Sequence, residues 1–290
     1  MSAGPANPAA RSGTLYVVAT PIGNLGDLTP RARDVLSAVH LIAAEDTRHT
    51  GQLLQTCNIT TQLTSLHEHN ETRRSLELIA MLEQGKSLAL VADAGTPLIS
   101  DPGFDLVAAA RRAGVPVVAV PGPCAAIAAL SIAGLPTDRF VFEGFLPAKS
   151  AARTARLDLL ANEARTMVFY EAPHRLAEVL ADMATVFGGD RQASVSRELT
   201  KRFETTYNDT LARLAESAQR DPDMARGEIV LIVSGNAAPA DSPALDATRI
   251  LRALLEELPP SQAARIAAHL TGAKRADLYD IALTLAPRAE

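Results

Sequence analysis

The sequence predicts an α/β protein: two α/β domains, the first with a mostly parallel sheet and the second with a mixed one, followed by a small helical region. Three observations lead there. Short apolar runs alternate with amphipathic segments over most of the chain, the pattern of strands buried beneath helices. Four of the early apolar runs empty into loops rich in Gly and Pro. The fullest of these, VADAGTPLISDPG, begins in the apolar run Leu88 to Ala92 and carries two Gly, two Pro and two Asp. Pro97 and Pro102 lack an amide donor and restrict the residue before them, so neither strand nor helix continues through this stretch. A buried strand that ends in so constrained a loop is where α/β proteins place ligands.

In chain order, the polar, Pro/Ala-rich start (residues 1–12) reads as a floppy arm without the apolar core of a signal peptide. Leu15 to Ala19 is an apolar strand leading into TPIGNLGD, and Thr29-Pro30 reads as a helix N-cap with proline at the first helical position. A helix to about Ala38 and a strand Leu41 to Ala44 follow. Next come a helix Glu71 to Gln84 with strand Leu88 to Ala92, and a helix Phe104 to Ala113 with strand Val115 to Val120. Gly134-Leu135-Pro136-Thr137 divides a first domain (13–135) from a second (136–236). The second domain reads as strand Arg139 to Glu143, helix Ala151 to Asn162, strand Met167 to Tyr170 and helix His174 to Phe187. Strands Ala193 to Arg197, Phe203 to Tyr207 and Ile229 to Ser234 follow, with a helix Leu211 to Gln219 before the last. Beyond a linker Ala237 to Pro243, the region 244–290 reads as helical, with Gly272 separating helices Ser261 to Thr271 and Lys274 to Leu285.

Composition narrows the function classes. The chain has 290 residues, 47% of them hydrophobic, which suits folded domains rather than disorder. No apolar stretch reaches the roughly 18 residues that span a bilayer. Cys57 and Cys124 lie far apart with no metal-like spacing, so a cytoplasmic protein with reduced thiols and no metal is expected. A net charge of −5 gives no global attraction to nucleic acid, so any RNA contact needs a local basic patch. Candidates are Lys149, Arg153 and Arg156, Arg73 and Arg74, Arg197, Lys201 and Arg202, and Lys274 and Arg275.

The loops match no phosphate-binding fingerprint, nucleophile elbow or zinc pair. Their convergence is informative instead. TPIGNLGDLT, AEDTRHT, ADAGTPLISDPG and VPGPCAA each follow a strand, and in a parallel sheet all four leave the same rim. With FYEAPHRL, SRELTK and RGEIVLIV they form an ordered set over Gly13 to Gly235 that resembles the bacterial ribosomal RNA 2′-O-methyltransferases of the tetrapyrrole-methylase superfamily. The resemblance implies the two-domain fold of that superfamily (class III methyltransferases), S-adenosylmethionine as methyl donor, and a homodimer. It also implies, as acceptor, the ribose 2′-hydroxyl of a cytidine in the decoding region of 16S rRNA in the small ribosomal subunit. The alternatives are a tetrapyrrole or corrinoid acceptor on the same fold, and an inert module that binds cofactor and RNA.

Carried over residue by residue, the resemblance assigns the donor to Pro21 and Ile22; to Gly95, Thr96, Pro97 and Ile99; to Pro121, Gly122, Cys124 and Ala125; to Tyr170, Glu171 and Ala172; and to Glu228 and Ile229. Thr96 stands where the superfamily carries an Asp. A neutral ribose hydroxyl is a poor nucleophile and benefits from a base or a cation. The catalytic candidates are Asp46, Arg48, Glu171 and Lys201, with His174 and Glu198 nearby. Asp46 with Arg48 also reads as a structural ion pair at a helix start, and Glu171 as a cap on the following helix. Asp93 and Asp101 read as loop-shaping residues.

Overall fold

The computed structural model describes residues 10–67, 69–236 and 247–285. Its elements run β1 (Leu15–Val18), α1 (Pro30–Ala38), β2 (Leu41–Ala44), α2 (Thr47–Thr56), β3 (Leu63–Ser65), α3 (Glu71–Glu83), β4 (Leu88–Val91), α4 (Phe104–Arg112), β5 (Val117–Val120) and α5 (Ala125–Ile132). Then come β6 (Phe140–Phe145), α6 (Ser150–Leu160), β7 (Thr166–Glu171), α7 (Leu176–Phe187), β8 (Gln192–Arg197), β9 (Thr205–Thr210), α8 (Leu211–Arg220) and β10 (Ile229–Val233). Helices α9 (Ala247–Leu255), α10 (Pro260–Thr271) and α11 (Arg275–Leu285) follow.

The first sheet is parallel throughout, in the order β3-β2-β4-β1-β5. Strand periodicity sends alternate residues to opposite faces. Ile42, Ala44, Ala89 and Val91 pack with Val35 and Leu36 of α1 and Leu54 of α2. Ala43, Leu88 and Leu90 pack on the other face with Leu78 and Leu82 of α3 and Leu106 of α4. Burial on both faces explains why these strands are uniformly apolar. The predicted cap of α1 is present: Thr29 Oγ1 accepts from Ala32 N at 3.1 Å, with Pro30 next.

The second sheet, β6-β7-β10-β8-β9, pairs β6 with β7 in parallel and the remaining neighbours antiparallel. Helix α5 is apolar along nearly its whole length (AAIAALSI). Its Ala126, Ala129 and Leu130 pack against Val168, Val230 and Ile232 of this sheet. One compact unit therefore holds both sheets, and a separate compact unit carries α9–α11, with Gly272 in a left-handed C-cap conformation after α10.

Several boundaries differ from the sequence reading. Helix α2, helix α5, strand β3 and helix α9 are additional elements. The helix expected from His174 opens as a single 3-10 turn, Pro173–Arg175, before α7. Strand β9 begins at Thr205 rather than Phe203 because residues 198–204 form a tight loop. Of the expected N-terminal arm, residues 1–9 lie outside the described residues. Residues 10–12 are fastened: Arg11 N donates to Tyr16 Oη at 2.7 Å and Ser12 Oγ to the Gly85 carbonyl at 2.7 Å. The predicted linker Ala237 to Pro243 also lies outside the described residues.

Candidate active site

The carboxyl ends of β1, β4 and β5 are stitched together by their own loops. Thr20 and Gly95 exchange backbone hydrogen bonds (2.9 and 3.1 Å), and Thr96 Oγ1 donates to the Pro123 carbonyl at 3.0 Å. Thr96, in the position where an Asp was expected, thus ties the β4 loop to the β5 loop. Gly95 has φ +80, and a Cβ there would sit 3.2 Å from Ile22 Cγ2, so the first loop closes directly over glycine backbone. Further on, Leu98 and Ser100 both have positive φ (73 and 67). Non-glycine residues held there mark a segment over-determined by its surroundings. Its far end is fixed by Glu71, whose carboxylate accepts from Gly103 N (3.0 Å) and Asp105 N (2.8 Å) and so caps α4 from α3.

The second sheet supplies the facing wall. Tyr170 leans edge-on against Phe142 and Phe145, with ring centroids 5.0 and 5.7 Å away. Its hydroxyl accepts from Ala126 N at 3.3 Å, capping α5, which lacks a cap of its own. Burial, with the Cys124 thiol alongside, pushes this phenol above its usual range, so it stays neutral. Glu171 is fully buried at its side chain, accepts from Ala172 N at 2.7 Å, and pairs with Arg175. Burial raises its carboxyl despite these partners.

Between the walls lies a cavity of about 400 Å³, within the range of small-molecule sites. Ten of the predicted donor residues line it: Ile22, Gly95, Thr96, Ile99, Ala125, Tyr170, Glu171, Ala172, Glu228 and Ile229. Pro21, Pro97, Pro121, Gly122 and Cys124 stand outside the lining. Of the catalytic candidates only Glu171 reaches it. Asp46 caps α2 through Arg48 N (2.8 Å) and pairs with the Arg48 guanidinium (2.8 Å), which holds its carboxyl well below the usual range. Arg48 itself is 88% exposed at the side chain. Lys201 bridges Glu198 (2.8 Å) and Glu228 (3.2 Å), and its methylenes cross Gly23 so closely that a Cβ would meet Lys201 Cγ at 2.3 Å. Burial opposes both charges, yet pairing prevails: Glu198 titrates below and Lys201 above its ordinary value.

Three lining acids were absent from the sequence-derived site: Glu45, Asp93 and Asp101. Asp93 does shape a loop, accepting from Asp46 N at 2.9 Å. Asp101 differs: burial first, then the charges of Glu45 and Asp93, raise its carboxyl to about 7. With Glu171 and Glu228 the cavity has five carboxylates, and among the described residues no Lys, Arg or His lines it. Two candidate RNA cations lie elsewhere. Arg153 is 2% exposed and locked to Asp182 (2.7 Å) and Glu178 (3.6 Å). Arg197 is buried and ties the carbonyls of Phe203 and Arg226, each at 3.2 Å.

The family model described as Tetrapyrrole (Corrin/Porphyrin) Methylases matches residues 14–215, which hold every element of this site up to β9. The chain belongs to that family. A second model, described as the RsmI C-terminal HTH domain, matches residues 241–286. Among relatives of this methylase, the protein named ribosomal RNA small subunit methyltransferase I of Xylella fastidiosa is 57% identical, covering 92% of this chain and 98% of that protein. The Pseudomonas aeruginosa protein of the same name is 54% identical (94% and 97% covered) and that of Escherichia coli O157:H7 is 51% identical (93% and 95% covered). Among solved structures, the methyltransferase CobJ superposes on the methylase fold with a TM-score of 0.57 at 22% identity, covering 78% of this chain and 95% of its own. Uroporphyrin-III C-methyl transferase from Thermus thermophilus, complexed with S-adenyl homocysteine, gives 0.52 at 18% identity (76% and 96% covered). These likenesses establish the fold.

Proposed function

We propose that this chain transfers a methyl group from S-adenosylmethionine to the ribose 2′-hydroxyl of a cytidine in the decoding region of 16S rRNA. The observation that carries the reading is the charge of the cavity: five carboxylates and no lining cation. A phosphate-bearing cofactor or a polycarboxylate tetrapyrrole would find no lining cation to pair with, whereas a donor with a sulfonium and an ammonium finds carboxyl groups, even with Glu171 and Glu228 already paired to Arg175 and Lys201. The donor supplies a carbon already activated for in-line displacement, so the protein's task is positioning and proton removal. Ile22, Ile99, Ala125 and Ile229 offer apolar surface for a nucleoside, and the loop from Asp93 to Thr96 runs along the same lining. The names of the relatives favour ribosomal RNA of the small subunit as acceptor.

In this reading one nucleotide reaches in while its phosphates stay outside the cavity, and the exposed Arg48 and Arg202 are the cations assigned to them. We assign the first sheet and its helices (13–135) and the second (136–236) as the two domains whose loops form the site. A homodimer is favoured by exposed Ile127 and Ile132 on α5 and exposed Phe140 on the edge strand β6. Among the described residues no helix is long and apolar enough to cross a membrane, and a ribosomal RNA acceptor points to work in the cytoplasm. The test is incubation with methyl-labelled donor and, separately, small subunits lacking the modification, free small-subunit RNA, and uroporphyrinogen. Label in RNA is expected; label only in the tetrapyrrole would overturn the reading.

A further inference from the structure

We infer that the ring of Phe203 is a stacking platform for the base of a nucleotide flanking the acceptor, an inference that rests on the function proposed above. Single exposed apolar side chains are ordinary, but this one stands on a tightly constrained loop. Phe203 is 62% exposed, yet its carbonyl accepts from the buried Arg197 guanidinium and from Thr205 Oγ1, each at 3.2 Å. Around it, Lys201 N donates to the Glu198 carbonyl (2.9 Å) and Glu204 N to the Lys201 carbonyl (3.1 Å), while the Glu204 carboxylate accepts from Thr200 N. Glu198 and Thr200 both have positive φ (50 and 66). Non-glycine residues held there mark a segment whose shape its surroundings impose, and such segments cluster at functional sites.

The loop is also part of the cavity wall. Leu199, between the two strained residues, lines the cavity, and the Glu198 carboxylate accepts from Glu228 N at 3.0 Å. Lys201 ties the loop to the Glu228 carboxylate as well. Phe203 itself is not among the lining residues. Four Cα steps separate it from Leu199, so the two Cα atoms lie at most about 15 Å apart. The acceptor ribose has to enter the cavity, so the base that meets Phe203 belongs to a neighbouring nucleotide. The ring comes with its own cation: the Arg202 guanidinium lies 5.4 Å from its centroid. A base on the ring and a phosphate on Arg202 suit a single-stranded RNA segment, since stacking accepts any base and the cation holds the backbone.

The test compares wild type, Phe203→Ala, Phe203→Leu and Phe203→Trp in methyl transfer to small-subunit RNA, with calorimetric binding of S-adenosylhomocysteine alongside. Phe203→Ala and Phe203→Leu should raise KM for RNA about 5–150-fold, the range of one base–aromatic stack, and bind S-adenosylhomocysteine within about twofold of wild type. Phe203→Trp should hold KM near the wild-type value. Because the sequence contains no Trp, that variant also carries a single indole, whose emission small-subunit RNA should quench. A wild type that labels no RNA overturns the functional reading itself. A wild type that labels RNA, with the KM of Phe203→Ala within about twofold of it, overturns only the role of Phe203. A Phe203→Leu that performs as wild type overturns it too, because apolar bulk would then suffice without a flat ring. So does a Phe203→Ala that changes oligomeric state in analytical ultracentrifugation with KM unmoved, since the ring then meets a second copy of the chain. Should Phe203→Ala fail to fold, an indole that RNA leaves unquenched in Phe203→Trp overturns the role equally.

Discussion

Glu71 provides the sharpest test of how the site is held. Its side chain leaves α3, is 9% exposed, and places one oxygen 3.0 Å from Gly103 N and 2.8 Å from Asp105 N. Among the described residues it is the side chain that caps this helix start, because Gly103 has none to offer. A hydrogen bond to a charged group contributes about 1.5–3 kcal/mol net, and an anion at a helix N-terminus about 0.3–1. The two amides share a single oxygen, so their contributions do not simply add. Glu71→Ala should therefore destabilise the protein by about 2–4 kcal/mol, while Glu71→Gln, which retains an acceptor, should cost about 1 kcal/mol. Urea unfolding with an unchanged slope measures both, and calorimetry should show weaker S-adenosylhomocysteine binding in Glu71→Ala as residues 98–103 relax. A loss below about 0.5 kcal/mol in Glu71→Ala, or equal losses in the two variants, would refute this reasoning.

Three further outcomes follow from the same geometry. Asp101 has a folded pKa near 7 against an ordinary 3.8, so the folded state binds the extra proton and stability falls as pH rises between those values. Asp101→Asn should then be no more stable than wild type at pH 4 yet more stable by about 1 kcal/mol or more at pH 8, the full shift being reduced by solvent screening; thermal unfolding across pH measures this. Gly95→Ala forces an L-residue into φ +80 with its Cβ against Ile22, and should lose about 1–3 kcal/mol and at least tenfold in S-adenosylhomocysteine affinity by calorimetry. Lys201→Met leaves Glu198 facing Glu228. The stability Glu198 contributes is present above its ordinary 4.5 and is lost as pH falls through its lower folded value. The variant should accordingly be destabilised by about 1 kcal/mol at pH 7, with the deficit shrinking only as pH falls below 4.5, as read from chemical denaturation across that range.

Much of the fold is legible because the signals are local. The Thr29-Pro30 cap, the uniformly apolar strands β2 and β4, and Gly272 after α10 each act within a few residues. The additional elements lack such signals. Strand β3 has only three residues, α2 is polar along TRHTGQLLQT, and α5 is so evenly apolar that it shows no helical period. The Gly/Pro loops were readable as strand-end loops, and ten of the residues that the resemblance assigns to the donor line the cavity. The acids were not, because an Asp in a loop looks alike whether it receives an amide, as Asp93 does, or faces an aromatic wall, as Asp101 does. That wall comes from residues about 45–70 positions further along the chain, at Phe145 and Tyr170. Arg153 was misread for the same reason: its partners Glu178 and Asp182 reach it only after α6 and α7 pack.

The central claim is that an acid-lined donor cavity serves a ribose hydroxyl. Nucleoside analysis by mass spectrometry, after wild-type protein has methylated small-subunit RNA with labelled donor, tests it most directly. The account predicts label in 2′-O-methylcytidine. Label on a base carbon or nitrogen, or on no RNA nucleoside at all, would contradict it.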